Sequence, residues 1–214
     1  MNDISPIVFV VDDDPDVLKS LARVLRSAGL AVATFSSPSD FLEQHDPRAA
    51  GCLVLDVAMP GLNGLELQQA LTAKGSATPI IFLTGRGDIP MSVQAMKGGA
   101  VDFLTKPIHD EDLLKAVHTA LEKDRIERQS RAQLDEIQER LATLTPRERE
   151  VLTHVVSGQL NKQIANDLGV VEKTVKVHRA RVMEKMQVRS VAALVQIADR
   201  LTKSGFDLDA VDKP

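Results

Sequence analysis

A parallel α/β domain followed by an all-helical domain is the fold class this sequence predicts. Two observations carry it. Between residues 7 and 120, short apolar runs alternate five times with segments of helical periodicity, the pattern of βα units in a sheet covered on both faces. Beyond residue 121 only helical periodicity remains. Five βα units suit a flavodoxin-like, doubly wound sheet of order 2-1-3-4-5, in which ligands bind outside the carboxyl ends of the strands. The 214 residues are enough for two cores, and 43% hydrophobic with 26% charged residues is ordinary for globular domains.

Ile7 to Val11 reads as a buried strand. A helix over 15–28 follows, with Val17, Leu18, Leu21, Val24 and Leu25 at helical spacing, Pro15 at its start and Gly29 at its close. Ala31 to Phe35 is the second strand. Ser37-Pro38-Ser39-Asp40 joins a capping residue to a proline at the first helical position and opens a helix reaching His45. The third strand, Cys52 to Leu55, ends in Asp56, and the loop Met59 to Gly64 leads into a helix reaching Lys74. Pro79 to Leu83 is the fourth strand and runs into Thr84-Gly85. A helix over 90–97 precedes Gly98-Gly99, and Val101 to Leu104 is the fifth strand. Lys106-Pro107 is a candidate cis bond, and Asp110 reads as the cap of a helix beginning near Glu111.

The strand ends carry the chemistry. Strand one delivers Asp12 and Asp13, strand three Asp56, strand four Thr84, and strand five leads to Lys106. In the expected topology all of them lie at one edge of one sheet. Taken singly, the aspartates read as solvated turn residues, Thr84 as an ordinary strand-end hydroxyl, Lys106 as a solvated lysine and Phe103 as plain core; together they form a specific set. Clustered carboxylates repel one another and call for a cation. Asp14 reads as facing solvent.

From Lys115 to Leu144 the sequence has no Gly or Pro and is helical in composition. Leu134, Ile137, Leu141 and Leu144 follow a 3-4-3 spacing. Two readings stand open for this stretch, a solvated linker helix and a short dimer seam. Thr145-Pro146-Arg147-Glu148 is then a strong helix start, with Val151, Leu152, Val155 and Val156 as its apolar face and Gly158 at its end. Asn161 reads as the cap of a second helix carrying Ile164, Ala165 and Leu168. After the short turn Gly169-Val170-Val171, a third helix spans 172–186, and a fourth spans 190–201 with Leu194, Ile197, Ala198 and Leu201 to pack. Helix, tight turn, basic helix is the helix-turn-helix pattern. The third helix carries Lys173, Lys176, Arg179, Arg181 and Lys185, while Val175, Val182 and Met186 face the core. The basic residues are left largely outward.

The motifs Val10-Val11-Asp12-Asp13-Asp14, Leu55-Asp56-Val57-Ala58-Met59-Pro60-Gly61-Leu62-Asn63-Gly64, Leu83-Thr84-Gly85 and Phe103-Leu104-Thr105-Lys106-Pro107 resemble a response-regulator receiver domain. That resemblance implies that Asp56 accepts a phosphoryl group from a sensor histidine kinase. It implies that Asp12, Asp13, Asp56 and the Ala58 backbone carbonyl hold Mg²⁺, with Mn²⁺ as an alternative ion. Lys106 would pair with a phosphoryl oxygen, and Thr84 and Phe103 would be the switch residues. Ala58 and Arg86 flank the water path in receivers and would tune the lifetime of the phosphorylated state. Leu144-Thr145-Pro146-Arg147-Glu148-Arg149-Glu150-Val151-Leu152, Asn161-Lys162-Gln163-Ile164-Ala165 and Lys173-Thr174-Val175-Lys176-Val177-His178-Arg179 resemble the LuxR-type DNA-binding domain. Here the resemblance implies that Lys173, Thr174, Lys176, Val177, Arg179 and Arg181 face DNA, with Asn161 and Lys162 near phosphates and His178 structural. Val171 departs from the pattern, standing where the family commonly has a capping Ser. The combination is similar to regulators of the FixJ/NarL type. Gly87-Asp88-Ile89-Pro90-Met91 and Lys97-Gly98-Gly99-Ala100-Val101-Asp102-Phe103 make FixJ the nearer likeness.

The domains expected are a receiver over 5–121, a helical linker over 122–140, a four-helix DNA-binding domain over 141–202 and a disordered tail over 203–214. The expected function is phosphorylation-switched binding of promoter DNA through homodimerisation, with RNA polymerase as a further partner and no enzymatic turnover beyond the receiver's own phosphoryl transfer and loss. Two rivals are a constitutive dimeric DNA-binding regulator with a non-phosphorylated receiver and a metal-dependent phosphohydrolase using Asp56. A net charge of −4 argues against nonspecific nucleic-acid binding by the whole surface. One cysteine gives no disulfide framework, and no apolar run is long enough for a membrane span, so a cytoplasmic protein is expected. The polar start, Met1 to Pro6, does not read as a signal peptide.

Overall fold

The computed structural model describes residues 5–85 and 89–206. The first part contains five strands, β1 (Ile7–Val11), β2 (Ala31–Phe35), β3 (Gly51–Asp56), β4 (Ile80–Thr84) and β5 (Asp102–Thr105), in the order β2-β1-β3-β4-β5. Every pairing is parallel. Helices α1 (Pro15–Ser27), α2 (Pro38–Gln44), α3 (Gly64–Ala73), α4 (Ile89–Lys97) and α5 (Asp110–Ala142) alternate with the strands.

Side-chain alternation along each strand splits the apolar residues between two faces. On one face Phe9, Val11, Leu53, Leu55, Ile80 and Phe82 pack with Phe41 of α2, Leu67 and Leu71 of α3 and Ala95 of α4. On the other, Val8, Val10, Cys52, Val54, Ile81 and Leu83 meet Leu21 and Leu25 of α1 and Leu113, Ala116, Val117 and Ala120 of α5. Burial on both faces explains why these strands are almost continuously apolar. Cys52 is a core residue: burial, with the nearby Asp124 charge adding, pushes its thiol up to about 12.

β4 and β5 each sit one residue later than the sequence pattern suggested, so Thr84 and Thr105 are themselves the last ladder residues. The predicted capping role of Asp110 is corrected too. Leu113 N–H donates to the His109 carbonyl at 3.1 Å, which places Asp110 inside the first turn of α5. The Lys106–Pro107 peptide is cis.

The contacts part the chain into two compact units at Arg128 and Gln129. α5 is one continuous helix through that point. The second unit adds α6 (Pro146–Val156), α7 (Asn161–Asp167), α8 (Glu172–Lys185) and α9 (Val191–Lys203). Its core joins Val151, Leu152 and Val155 of α6, Ile164 of α7, Val175 and Val182 of α8, Met186, and Leu194 and Leu201 of α9. Ile137, Leu141 and Leu144 belong to that same core, each at most 6% exposed. Their 3-4-3 spacing therefore marks a face buried within the chain, and neither a solvated linker nor a dimer seam describes residues 137–144. Leu134 is half-buried and outside this cluster. The expectation of a disordered tail from residue 203 is corrected for its first residues, since Lys203 closes α9 and Phe206 packs against the second core; the rest of that expectation, over 207–214, lies outside the described residues.

Candidate functional site

The carboxyl ends of β1, β3, β4 and β5 meet at one sheet edge, as parallel register requires: Val11 is level with Leu55, Asp56 with Leu83, and Thr84 with Thr105. Asp12, directly after β1, is fully buried, and Asp56, the last residue of β3, is 4% exposed. Asp13 is exposed, yet it offers a carboxylate oxygen within 4.8 Å of those of Asp12 and Asp56. Lys106 reaches both buried acids, its Nζ lying 2.6 Å from Asp12 Oδ2 and 3.2 Å from Asp56 Oδ1. The Lys106 backbone N–H donates to the Thr84 carbonyl at 2.6 Å, so the lysine is anchored at both ends.

The loop after Asp56 is fixed by its own chemistry. Asn63 accepts from Glu66 N–H at 2.9 Å while the Glu66 carboxylate accepts from Asn63 N–H at 2.9 Å, a reciprocal cap that opens α3. Gly64 is needed there because a Cβ would sit 2.5 Å from the Asp56 carbonyl oxygen. Ala58 stands exposed in this loop. Asp14 is exposed and caps α1, accepting from Asp16 and Val17 N–H, a role the reading of it as merely solvent-facing missed. Thr84 is buried at the end of β4, and the half-buried Phe103 packs its ring 6.4 Å from that of Phe82. Arg86 lies outside the described residues.

Electrostatics make the pocket uneasy without a cation. Burial raises the Asp56 pKa, Lys106 pulls it back, and Asp12 and Asp13 push it up again. For Lys106 burial disfavours the charge, but the hydrogen bond to Asp12 and the Asp56 and Asp12 charges outweigh it, and its ammonium is held above its ordinary value. A carboxylate at the floor of such a pocket has hard oxygen donors beside it for a divalent ion and an ammonium for an incoming anion.

In the second unit, Lys173, Lys176, Val177 and Arg181 of α8 and Lys162 of α7 are exposed, and Thr174 and Arg179 are half-buried. Lys176 is engaged with Glu172 one turn earlier, at 3.2 Å. Asn161 does not cap α7. Leu160 is the N-cap residue, Gln163 accepts from the Leu160 N–H at 2.8 Å, and the Asn161 Oδ1 instead accepts from Arg179 Nη1 at 3.0 Å. Lys185 is removed from the outward basic set: its ammonium lies 2.6 Å from the buried carboxylate of Glu148 and donates to the Thr143 carbonyl at 2.9 Å. Val171 opens α8 with no side-chain cap. Leu160 and Val171 are 69% and 68% exposed at the starts of the two turn-forming helices; the sequence reading noted Val171 and missed Leu160, whose apolar side chain carried no signal. The His178 Nδ1 is buried and has no hydrogen-bond partner among the described residues.

Comparison with known proteins completes the description. Residues 8–118 match the response regulator receiver domain, and residues 142–198 match the luxR family of bacterial regulatory proteins. The chain is 47% identical over 204 residues to the response regulator protein TmoT of Ectopseudomonas mendocina, covering 95% of this chain and 93% of that one. It is 45% identical over 191 residues to the transcriptional regulatory protein FixJ of Azorhizobium caulinodans, covering 89% and 90%. The solved structure of the response regulator StyR superposes with a TM-score of 0.83 at 48% identity, covering 92% of this chain and 99% of that one. Among the described residues no helix is long and apolar enough to cross a membrane.

Proposed function

The chain belongs to the response regulators, as a receiver domain joined to a LuxR-type DNA-binding domain, and from that premise we propose that phosphorylation of Asp56 switches its binding to promoter DNA. The donor is the phosphohistidine of a sensor histidine kinase. An Asp56 oxygen attacks phosphorus, the P–N bond breaks, and the imidazole leaves, giving an acyl phosphate. Such transfers depend on positioning and on neutralising charge over the phosphoryl oxygens. Lys106 supplies one neutralising charge from a fixed place. Asp12, Asp13, Asp56 and the Ala58 carbonyl are the residues that would hold Mg²⁺ or, alternatively, Mn²⁺, and their all-oxygen chemistry fits such an ion. When bound, the divalent ion offsets carboxylate repulsion and phosphoryl charge.

Thr84 and Phe103 are the proposed switch residues, the hydroxyl meeting the new phosphoryl group and the ring following it inward. Ala58 and Arg86 set how long the phosphoryl group lasts. The output is homodimerisation, two recognition helices α8 on paired half-sites, and contact with RNA polymerase in the cytoplasm. Lys173, Thr174, Lys176, Val177, Arg179 and Arg181, with Lys162 and Asn161, form the face toward DNA.

The observation that carries this reading is one buried pocket in which Lys106 touches Asp12 at 2.6 Å and Asp56 at 3.2 Å beside a third acid. Incubation of the full chain with acetyl phosphate and Mg²⁺ tests it. Intact mass should rise by one phosphoryl group in the wild type and stay unchanged in Asp56→Ala. Equal phosphorylation of the two proteins would remove Asp56 from the role.

A further inference from the structure

Asn161 is the first residue inside α7, one position past the N-cap, so its side chain does not close the helix end. Leu160 takes the N-cap of α7, and Gln163 closes the turn by accepting from the Leu160 N–H at 2.8 Å. The Asn161 amide is left for another element. Its Oδ1 accepts from Nη1 of Arg179, eighteen residues further along on α8, at 3.0 Å, and both side chains are half-buried. Among the described residues, the other basic residues of that face show no such hold: Lys173 and Arg181 are exposed, and Lys176 pairs with Glu172 of its own helix. An arginine side chain is long and rich in rotamers, and its planar fork reads a base only when correctly aimed. It has five N–H donors, so the bond to Asn161 uses one and leaves a bidentate edge for guanine O6 and N7.

We infer that Asn161 is a positioning residue for sequence readout: it reaches from the first helix of the helix-turn-helix to aim the Arg179 guanidinium at a base, and it is not itself a phosphate contact. The inference rests on α8 being the DNA-reading helix and narrows the place of Asn161 within that reading. A phosphate contact and a positioning contact have different signatures. Losing the first weakens all sequences alike, whereas losing the second flattens preference at one base pair.

The experiment selects bound duplexes from a randomised library with the full-length protein, Mg²⁺ and acetyl phosphate. It compares wild type, Arg179→Ala, Asn161→Ala, Asn161→Asp and the Asn161→Ala/Arg179→Ala double variant. Arg179→Ala identifies the base pair that the arginine reads. Asn161→Ala should lose about tenfold of the discrimination at that same base pair, the scale of one bidentate contact, and leave other positions intact. The double variant should match Arg179→Ala. Asn161→Asp keeps the acceptor oxygen and should keep the preference, while its charge weakens binding to every duplex. An Asn161→Ala protein that binds all duplexes more weakly, or melts earlier, with its base preference unchanged overturns the proposal. So does an Asn161→Asp protein that loses the preference along with Asn161→Ala. Base preferences that survive Arg179→Ala intact would remove the arginine from base reading and overturn the proposal, leaving readout by α8 to its other outward residues.

Discussion

Ionising Asp56 carries a cost that the fold does not recover by itself. Burial is the leading cause of its raised pKa, and the Asp12 and Asp13 charges add to it against the pull of Lys106. A carboxyl whose folded pKa lies above its unfolded value destabilises the fold above that folded pKa, and the penalty disappears as pH falls below the unfolded value. Asp56→Asn should therefore melt a few degrees higher than wild type at pH 7.5, and the gap should close as pH is lowered through the carboxylate range. Mg²⁺ should raise the wild-type midpoint more than that of the variant. A variant that melts lower than wild type at pH 7.5 would contradict this electrostatic account. The pocket was readable from sequence because each member follows an apolar run, and parallel strands carry such residues to one edge. The relation of Asn161 to Arg179 was not. An asparagine before a helical stretch satisfies the rules for a cap, and nothing local says that Leu160 takes that place while the amide turns to α8.

At the scale of elements, α6 and α8 are tied by an ion pair that local patterns do not announce. Glu148 is 2% exposed, and its carboxylate accepts from the Thr145 N–H at 2.9 Å and from Lys185 Nζ at 2.6 Å. Burial raises the pKa of such a group, but the Lys185 bond and the Thr145 contacts win, leaving it below the ordinary glutamate range. A depressed folded pKa adds stability above the unfolded value, and that stability is lost as pH falls through the folded pKa. Lys185→Met keeps much of the packing and removes the charge. It should lower the stability of the helical domain by roughly 1.5–3 kcal/mol, the range for a hydrogen bond to a charged group. Urea unfolding of the full chain followed by far-ultraviolet circular dichroism reads this, and an unchanged unfolding curve would contradict it. Helical spacing placed Lys185 with the outward basic residues because its partner lies in a different helix, beyond the reach of any periodicity argument. The leucine spacing before α6 misled for the same reason. A buried helical face looks alike in sequence whether its partner is a second chain or, as for Ile137, Leu141 and Leu144, the core that follows it.

Across the whole molecule, a receiver with an acidic pocket and a LuxR-type domain with a basic helix belong to one chain, with α5 running unbroken from Asp110 to Ala142. The fold of the first unit followed from its sequence almost residue by residue, since buried parallel strands and proline-marked helix starts are local signals. The second unit was clear as a helix-turn-helix, but where its core begins was not, because Ile137 joins that core from within α5. The central claim is that chemistry at Asp56 governs what α8 does. The most direct test is molar mass and DNA binding measured together, with and without acetyl phosphate and Mg²⁺, on wild type and Asp56→Ala. Gain of dimer and of DNA affinity by the phosphorylated wild type alone is the predicted result. Equal DNA binding by both proteins under both conditions would contradict it and leave the receiver as a scaffold for a constitutive DNA-binding protein.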